Sequence, residues 1–348
     1  MAFAKTLINW YLENKRDLPW RNTRDPYRIW MSEIILQQTR VAQGLPYYLK
    51  FIEAFPSVYD LAEAPQEKVL KLWQGLGYYS RARNLHETAI FISRELNGIF
   101  PLTYKELLKL KGVGDYTASA IASTCYDEAV AAVDGNVYRV LARYFDIETP
   151  VNSGKGMKEF KELSQELMGN QDPWSYNQAI MEFGATHCKP NNPYCESCPL
   201  SNSCLALKKN KIEILPVKLK KLVIKDRYFN YIVFRSRENT TILEQRLGKG
   251  IWEGMFQFPL VETKQPVSVK DFRSDEKFLE MIGNGSPKIT LYNETPIIHK
   301  LTHQHIHTRF WIIEKELLPG KPVSVKSIKE YPVPVLIANF INEFEFEF

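Results

Sequence analysis

Long apolar runs are missing from this 348-residue chain. No stretch reaches the roughly 18 consecutive apolar residues that a membrane-spanning helix needs. The first residues form no apolar signal segment, so the expectation is a soluble, cytoplasmic protein with no membrane partner. Charge of one sign is scarce as well: a net charge of +5 is by itself a weak argument for nucleic acid. No internal repeat is present, which excludes solenoids and propellers. Cysteine is rare, five in all, and in a reducing compartment disulfides are disfavoured.

What is there is unevenly placed. Four of the five cysteines stand as Cys188-x6-Cys195-x2-Cys198-x5-Cys204, with Pro190, Pro193 and Pro199 between them. Thiolates packed this densely point to a soft metal or an iron–sulfur cluster. Zinc competes, but zinc ribbons usually show two CxxC pairs and here only Cys195 and Cys198 form one. The spacing favours a cluster and leaves zinc open. Cys125 stands alone in an apolar run and is expected to pack as a small hydrophobe.

Two periodicities divide the chain. Residues 1 to about 207 read as successive helices, near 4–14, 27–38, 58–74, 78–97, 103–110, 116–126, 134–145, 156–168 and 174–184. The first is amphipathic, with Leu7, Ile8, Tyr11 and Leu12 on one face. Gly75, Pro101, Gly112, Gly114 and Pro150 mark turns. Residues 208–225 hold seven lysines and one acid, Glu213, as a solvated linker or a phosphate-contacting strap. Beyond it, 226–348 reads as a mixed α/β or β domain, with strands at 228–235, 240–246 and 297–314. The Phe/Glu tail, 343–348, is expected to be a frayed strand or a disordered end.

Gly112 and Gly114 sit between two helical runs in Lys111-Gly-Val113-Gly-Asp-Tyr116-Thr117. Glycine accepts positive φ, and the exposed amides of such a turn before a helix start make an anion site. The flanking helices and Thr117 agree with a helix–hairpin–helix that grips a DNA phosphate. About twenty residues later comes Val133-Asp134-Gly-Asn136-Val-Tyr-Arg-Val-Leu141. Taken alone, Asp134 reads first as a helix N-cap, and Glu33 as a surface glutamate of its helix.

The order of these motifs changes that reading. Hairpin, Asp-Gly-Asn-Val and four-cysteine loop follow in the order seen in the endonuclease III superfamily of DNA glycosylases. Three further segments resemble the A/G-specific adenine DNA glycosylases: Arg16-Asp-Leu18-Pro-Trp20-Arg, Trp30-Met-Ser-Glu33-Ile-Ile-Leu-Gln-Gln38-Thr39-Arg-Val41 and Gly75-Leu76-Gly-Tyr78-Tyr-Ser-Arg-Ala-Arg-Asn84. The resemblance implies a helix–hairpin–helix glycosylase domain, a [4Fe–4S] cluster on Cys188, Cys195, Cys198 and Cys204, and a C-terminal nudix-like domain. It implies as partner duplex DNA carrying adenine opposite 8-oxoguanine or guanine. A monomer working at the nucleoid is expected. Contacts with an abasic-site endonuclease or a replication clamp are expectations of the resemblance alone.

Residue roles follow in the same way. The resemblance makes Glu33 the acid for adenine N7, Asp134 the stabiliser of the sugar cation, and Tyr116 and Asn136 their companions. Two carboxylates suit a glycosidic bond that breaks with oxocarbenium character. A lyase of this superfamily places lysine where this chain has Tyr116, and a phenol cannot form a Schiff base. A monofunctional enzyme is therefore expected. Gly112, Val113 and Gly114 would hold the phosphate, Gln38 and Tyr78 would wedge the duplex, and Arg16, Leu18 and Trp20 would line the adenine pocket. Thr39, Leu76, Thr302 and His303 would meet 8-oxoguanine. The family commonly has Phe-Ser-His where this chain has Leu301-Thr302-His303, which keeps a hydroxyl and the histidine but loses the aromatic ring. Ile251–Pro259 resembles the nudix strand and turn, and no catalytic nudix box follows, so a domain that reads rather than cuts is expected. His299, His303, His305 and His307 alternate as one strand face, read as a solvated or DNA-facing surface rather than a metal site.

Overall fold

The computed structural model describes residues 2–219, 224–283, 287–318 and 320–346. By contacts the chain forms two compact units, one of Met1–Glu63 with Asn84–Lys220 and one of Ala64–Arg83 with Lys221–Phe348. Among the described residues no helix is long and apolar enough to cross a membrane.

The first unit is helical. It contains α1 (Ala2–Asn14), α2 (Pro26–Leu36), α3 (Val41–Ala54) and α4 (Val58–Glu63). The chain then passes through α5 (Gln66–Trp73) of the second unit and the start of α6 (Ser80–Glu95). The first unit resumes with α7 (Tyr104–Leu107), α8 (Asp115–Cys125), α9 (Gly135–Phe145), α10 (Gly154–Met168), α11 (Pro173–Thr186) and α12 (Leu205–Lys208). Local chemistry sets the ends. Asp25 caps α2 and Asp172 caps α11, each followed by a proline whose missing N–H is no loss there. Ser153 caps α10 in the same manner.

The core joins α1, α9, α10 and α11 through Leu7, Tyr11, Leu141, Phe160, Ile180 and Phe183. Each such side chain contributes roughly 1.5–3 kcal/mol by leaving water. On α1 the buried stripe is Phe3, Ala4, Leu7 and Tyr11. Leu12, expected on that stripe, is instead 61% exposed, because one residue past Tyr11 turns it away from the core. Helix α3 is not among the expected helices, and it holds Gly44 and Pro46 inside it. Gly44 is needed because α3 runs so close to α2 that a Cβ there would lie 2.8 Å from Leu36 Cδ2. Cys125 ends α8 half-buried, and burial pushes its thiol up to about 12, so it packs uncharged.

The second unit is built on a mixed sheet. Its strands are β1 (Lys225–Arg235), β2 (Thr240–Thr241), β3 (Glu244–Gln245), β4 (Phe256–Gln257), β5 (Leu260–Thr263), β6 (Lys288–Leu291), β7 (Ile297–Lys300), β8 (Gln304–Glu314) and β9 (Val323–Ser324). The order β5-β1-β8-β6 has β1 and β8 parallel along their whole length, and β7 also pairs with β8. On one face α13 (Val269–Arg273) and α14 (Glu276–Ile282) bring Phe272 and Phe278 against Trp311. On the other, α15 (Val335–Glu343) stacks Phe340 on Phe310 at 4.0 Å. Lys71 of α5 donates to the Tyr331 carbonyl at 3.2 Å, which ties Ala64–Arg83 into this unit.

Three expectations are corrected here. Residues 240–246 form two short strands, β2 and β3, with different partners. Residues 297–314 form a hairpin, so the four histidines do not share a strand face: His303 lies in the turn, His299 packs on Trp252, and His305 and His307 face Asp226. The tail is neither frayed nor disordered through Phe346. Phe344 stacks on Phe340 and Phe346 is buried against Phe258, because the alternating rings land on an apolar surface that the helix before them prepares. Glu347 and Phe348 lie outside the described residues. So do Lys220 and Lys221 of the basic segment. Of its other lysines, Lys209 and Lys211 pair with Asp146, and Lys211 also pairs with Glu148.

Candidate active site

Glu33 lies on α2 among Ile29, Trp30, Ile34 and Ile35, and it is only 8% exposed. Burial pushes its carboxyl up to about 7; the Tyr116 hydroxyl bonded to it opposes the rise, Asp134 adds to it and Arg21 opposes it. Tyr116 opens α8 immediately behind the hairpin, and its hydroxyl also donates to Met181 Sδ at 3.2 Å. The phenol has a single proton to give, to sulfur or to the Glu33 carboxylate, and donation to the carboxylate is what opposes the rise.

Asp134 is the N-cap of α9. Its Oδ1 accepts from the Asn136 and Val137 amides at 2.8 and 2.9 Å, and its Oδ2 accepts from Asn136 Nδ2 at 2.7 Å. Burial raises its pKa, while those donors pull it down in favour of the anion. Two carboxyls thus face each other in unlike settings, one in an apolar pocket and one fixed by three N–H donors that favour its anion. The fixed one is tied further back. Asn136 Oδ1 accepts from Arg139 Nη2 at 2.8 Å, and Arg139 Nε donates to the Cys188 carbonyl at 2.8 Å. Gly184 lets α11 approach: a Cβ there would stand 2.7 Å from Asn136 Cβ.

The hairpin is set by backbone geometry. Gly112 has φ +78, and a Cβ on it would lie 2.8 Å from Asn84 Cβ. Val113 is buried and anchors the turn, while Gly114, the N-cap of α8, has open space where a side chain would be. Gln37 links α2 to this turn, donating to Thr117 Oγ1 at 3.1 Å. Gln38 itself sits in the left-handed region at φ 55, and Thr39 Oγ1 donates to the Gln37 carbonyl. Leu18 and Trp20 are buried, Trp20 edge-on to Tyr48. Arg16 grips Glu182 with Nε and Nη2 at 2.7 and 2.6 Å.

The remaining expected residues belong to the second unit and meet in one cleft of about 500 Å³. Leu76, Tyr78, Thr302 and His303 all line it, together with Trp252 and His299. The Tyr78 hydroxyl is hydrogen-bonded to Thr302 Oγ1 across it. Tyr78 holds a left-handed backbone, φ 49, which turns its ring outward, 48% exposed.

The four cysteines lie in a loop that packs on the main core. Arg143 pins this loop: its Nη1 approaches Cys188 Sγ at 3.5 Å and donates to the Lys189 carbonyl, and its Nη2 donates to that of Pro190. Burial raises the thiols of Cys195, Cys198 and Cys204, and each is raised further by the charge of its neighbours. Backbone amides after Cys198 and Cys204 point at the sulfurs. Such amide donors suit thiolates ligating a cluster. Among the described residues no three His, Cys, Asp or Glu side chains converge as a single ion requires. Four soft thiol donors in one loop are compatible with an iron–sulfur cluster.

Residues 31–166 match the model of the HhH-GPD superfamily of base excision DNA repair proteins, and residues 230–343 match that of the NUDIX domain. An adenine DNA glycosylase of Buchnera aphidicola subsp. Baizongia pistaciae is 36% identical over 316 residues, covering 90% of this chain and 86% of the relative. The chain belongs to the adenine DNA glycosylase family. It is a DNA N-glycosylase of base excision repair that removes adenine. The glycosylase is also 43% identical to the mouse adenine DNA glycosylase over 227 residues, 62% of this chain and 44% of that one. Among solved structures it is similar to a thermostable thymine-DNA glycosylase, with TM-score 0.56, 32% identity and coverage of 60% of this chain and 96% of that one. A non-covalent endonuclease III–DNA complex matches with TM-score 0.53 over 60% of this chain and 95% of that chain, and at 24% identity it speaks to the fold alone.

Several residues of the glycosylase's site escaped the sequence reading. Met181 meets Tyr116, Arg21 acts electrostatically on Glu33 and Tyr116 and is held by Gln178 and Glu182, and Arg139 and Arg143 link α9 to the cysteine loop. A signal existed. Gln178 and Glu182, like Arg139 and Arg143, are polar residues four apart on helices otherwise rich in buried apolar side chains.

Proposed function

We propose that the enzyme hydrolyses the N-glycosidic bond of adenine paired with 8-oxoguanine, and more slowly with guanine, as a monomer and without a lyase step. The adenine leaves the helix stack and enters the pocket beside Glu33. Glu33 gives its proton to adenine N7, the glycosidic bond breaks toward the base, and the sugar cation faces Asp134 until water adds. Tyr116 is hydrogen-bonded to Glu33 and offers no amine to the sugar. The single observation that carries the reading is Glu33: a buried carboxyl pushed to about 7, bonded to Tyr116 and facing Asp134.

DNA is the partner. The amides around Gly112, Val113 and Gly114 are its phosphate grip, with Gln38 and Tyr78 as wedges and Arg16, Leu18 and Trp20 about the base. In the second unit the cleft between Tyr78 and Thr302, with His303 and Leu76, receives 8-oxoguanine; Thr39, of the first unit, is a further lesion-reading residue. What supports this is a cleft where aromatic Trp252 and Tyr78 stand beside the polar Thr302, His299 and His303. Cys188, Cys195, Cys198 and Cys204 would hold a [4Fe–4S] cluster, which when bound supplies a one-electron centre and a cross-link for the loop. The nudix-like domain reads the lesion and does not hydrolyse pyrophosphates. The enzyme acts inside the cell, where the chromosome lies.

The test is single-turnover incubation with duplexes holding adenine opposite 8-oxoguanine, adenine opposite guanine, or thymine glycol. Adenine release with strand breaks only after alkali is expected. Breaks without alkali, or release of the oxidised pyrimidine instead, would sink the reading.

A further inference from the structure

Glu182 is among the most deeply buried charged groups of the first unit, 1% exposed, and the chemistry above does not use it. It holds two arginines. Arg16 meets it with backbone N, Nε and Nη2 at 3.1, 2.7 and 2.6 Å. Arg21 donates Nη2 to its Oε2 at 2.7 Å and is 9% exposed. Arg21 has no freedom left: Nε donates to Gln178 Oε1, one helical turn before Glu182, Nη1 donates to the Arg16 carbonyl, and the guanidinium lies 5.4 Å from the Tyr11 ring centre. The same face of α11 carries Met181, which accepts the Tyr116 proton. One helix thus fixes the partners on two sides of Glu33.

We propose that Glu182 is the positioning residue for the acid: it clamps Arg21 beside Glu33 and Tyr116, cancels part of its charge, and so sets the pH up to which Glu33 keeps its proton. An uncancelled guanidinium in a buried site would favour the carboxylate strongly and leave no acid at neutral pH. An absent one would leave Glu33 and Asp134 to repel each other unopposed. The groups facing Glu33 are Tyr116 and Cys125 of α8, Asp134 before α9, and Arg21. Of these Arg21 alone carries positive charge, and Glu182 is its counter-ion. Burial opposes ionisation of Glu182, but Arg16 and Arg21 together outweigh it and hold it down at about 2, so the clamp stays charged across the working range.

The inference rests on Glu33 being the acid, and the experiment separates the two. The full-length enzyme, labelled with carbon-13 at glutamate carboxyls, is titrated by NMR, and E33Q assigns the Glu33 signal. Adenine release is followed in single turnover over the same pH range. In E182Q the Glu33 midpoint is expected to fall by about one pH unit, from loss of one nearby negative charge. The alkaline limb of the rate falls with it. R16Q, at the exposed end of the triad, moves both upward, and E182D restores both. An unmoved Glu33 midpoint in E182Q overturns the proposal. A midpoint that moves while the rate limb stays upholds the clamp and removes Glu33 as the acid. If E182Q does not fold, the upward shift in R16Q decides, and its absence overturns the clamp.

Discussion

A functional acid held neutral by burial must weigh on the fold, and Glu33→Gln measures how much. Glu33 has an ordinary value of 4.5 and is pushed to about 7 in the folded protein. The folded state therefore binds the proton more tightly than the unfolded chain. Between 4.5 and 7 the stability of the first unit falls as pH rises, and above 7 the loss is complete. At about 1.4 kcal/mol per unit, the full loss is on the order of 3 kcal/mol. Glutamine keeps the shape and the hydrogen-bonding capacity toward Tyr116 but cannot ionise. Imperfect replacement of that bond costs about 1 kcal/mol at every pH. Glu33→Gln should thus be neutral or slightly destabilising near pH 4.5 and stabilising by about 2 kcal/mol at pH 8.5. For a unit of this size that is a rise in melting temperature of roughly 4–8 °C. The assay is thermal unfolding of both proteins at the two pH values, following the transition of the first unit. A difference that is the same at both pH values would show that Glu33 is an ordinary carboxylate in the folded protein, and the acid assignment would fall with it. The same variant should release no adenine, so stability gained and activity lost are the joint signature.

Asp134→Asn should abolish adenine release, yet melt within about 1 kcal/mol of the parent because asparagine caps helices as well as aspartate does; Asp134→Ala, which removes the cap as well, should cost about 1–2 kcal/mol. Gly112→Ala forces a side chain into φ +78 against Asn84, and should weaken binding to undamaged duplex about tenfold or more with a shallower salt dependence, read by fluorescence anisotropy. Gly184→Ala pushes on Asn136, and should lower the single-turnover rate while leaving the affinity for DNA near the parent's; equal losses of both would place the damage elsewhere. Thr302→Ala together with Tyr78→Phe removes the hydrogen bond across the second unit's cleft, and should reduce the preference for adenine opposite 8-oxoguanine over adenine opposite guanine, with the rate on the latter little changed.

What was legible in the sequence is what local chemistry controls. Helix ends follow from caps and prolines within a few residues, so α2, α8, α9, α10 and α11 lie within a few residues of their expected bounds. The two glycines of the hairpin and the spacing of four cysteines carry meaning without a partner, because backbone sterics and thiolate chemistry act at short range. Asp134 was readable as a cap for the same reason. Family membership could be reached from these motifs in order.

The tertiary structure decided everything that depends on which distant segments share a buried space. It paired Arg21, which acts on Glu33, with Glu182, although 161 residues separate those two partners along the chain. It brought Gln37 to the hairpin, and folded the histidine run into a turn rather than a single face. It drew Ala64–Arg83 into the second unit and sealed the Phe/Glu tail onto Phe340. In each case the deciding quantity is the removal of surface from water, or the electrostatics of a group once removed. Sequence by itself determined the residues able to do chemistry, and the local cap that favours the Asp134 anion; burial among distant neighbours decided that Glu33 can hold a proton near neutral pH.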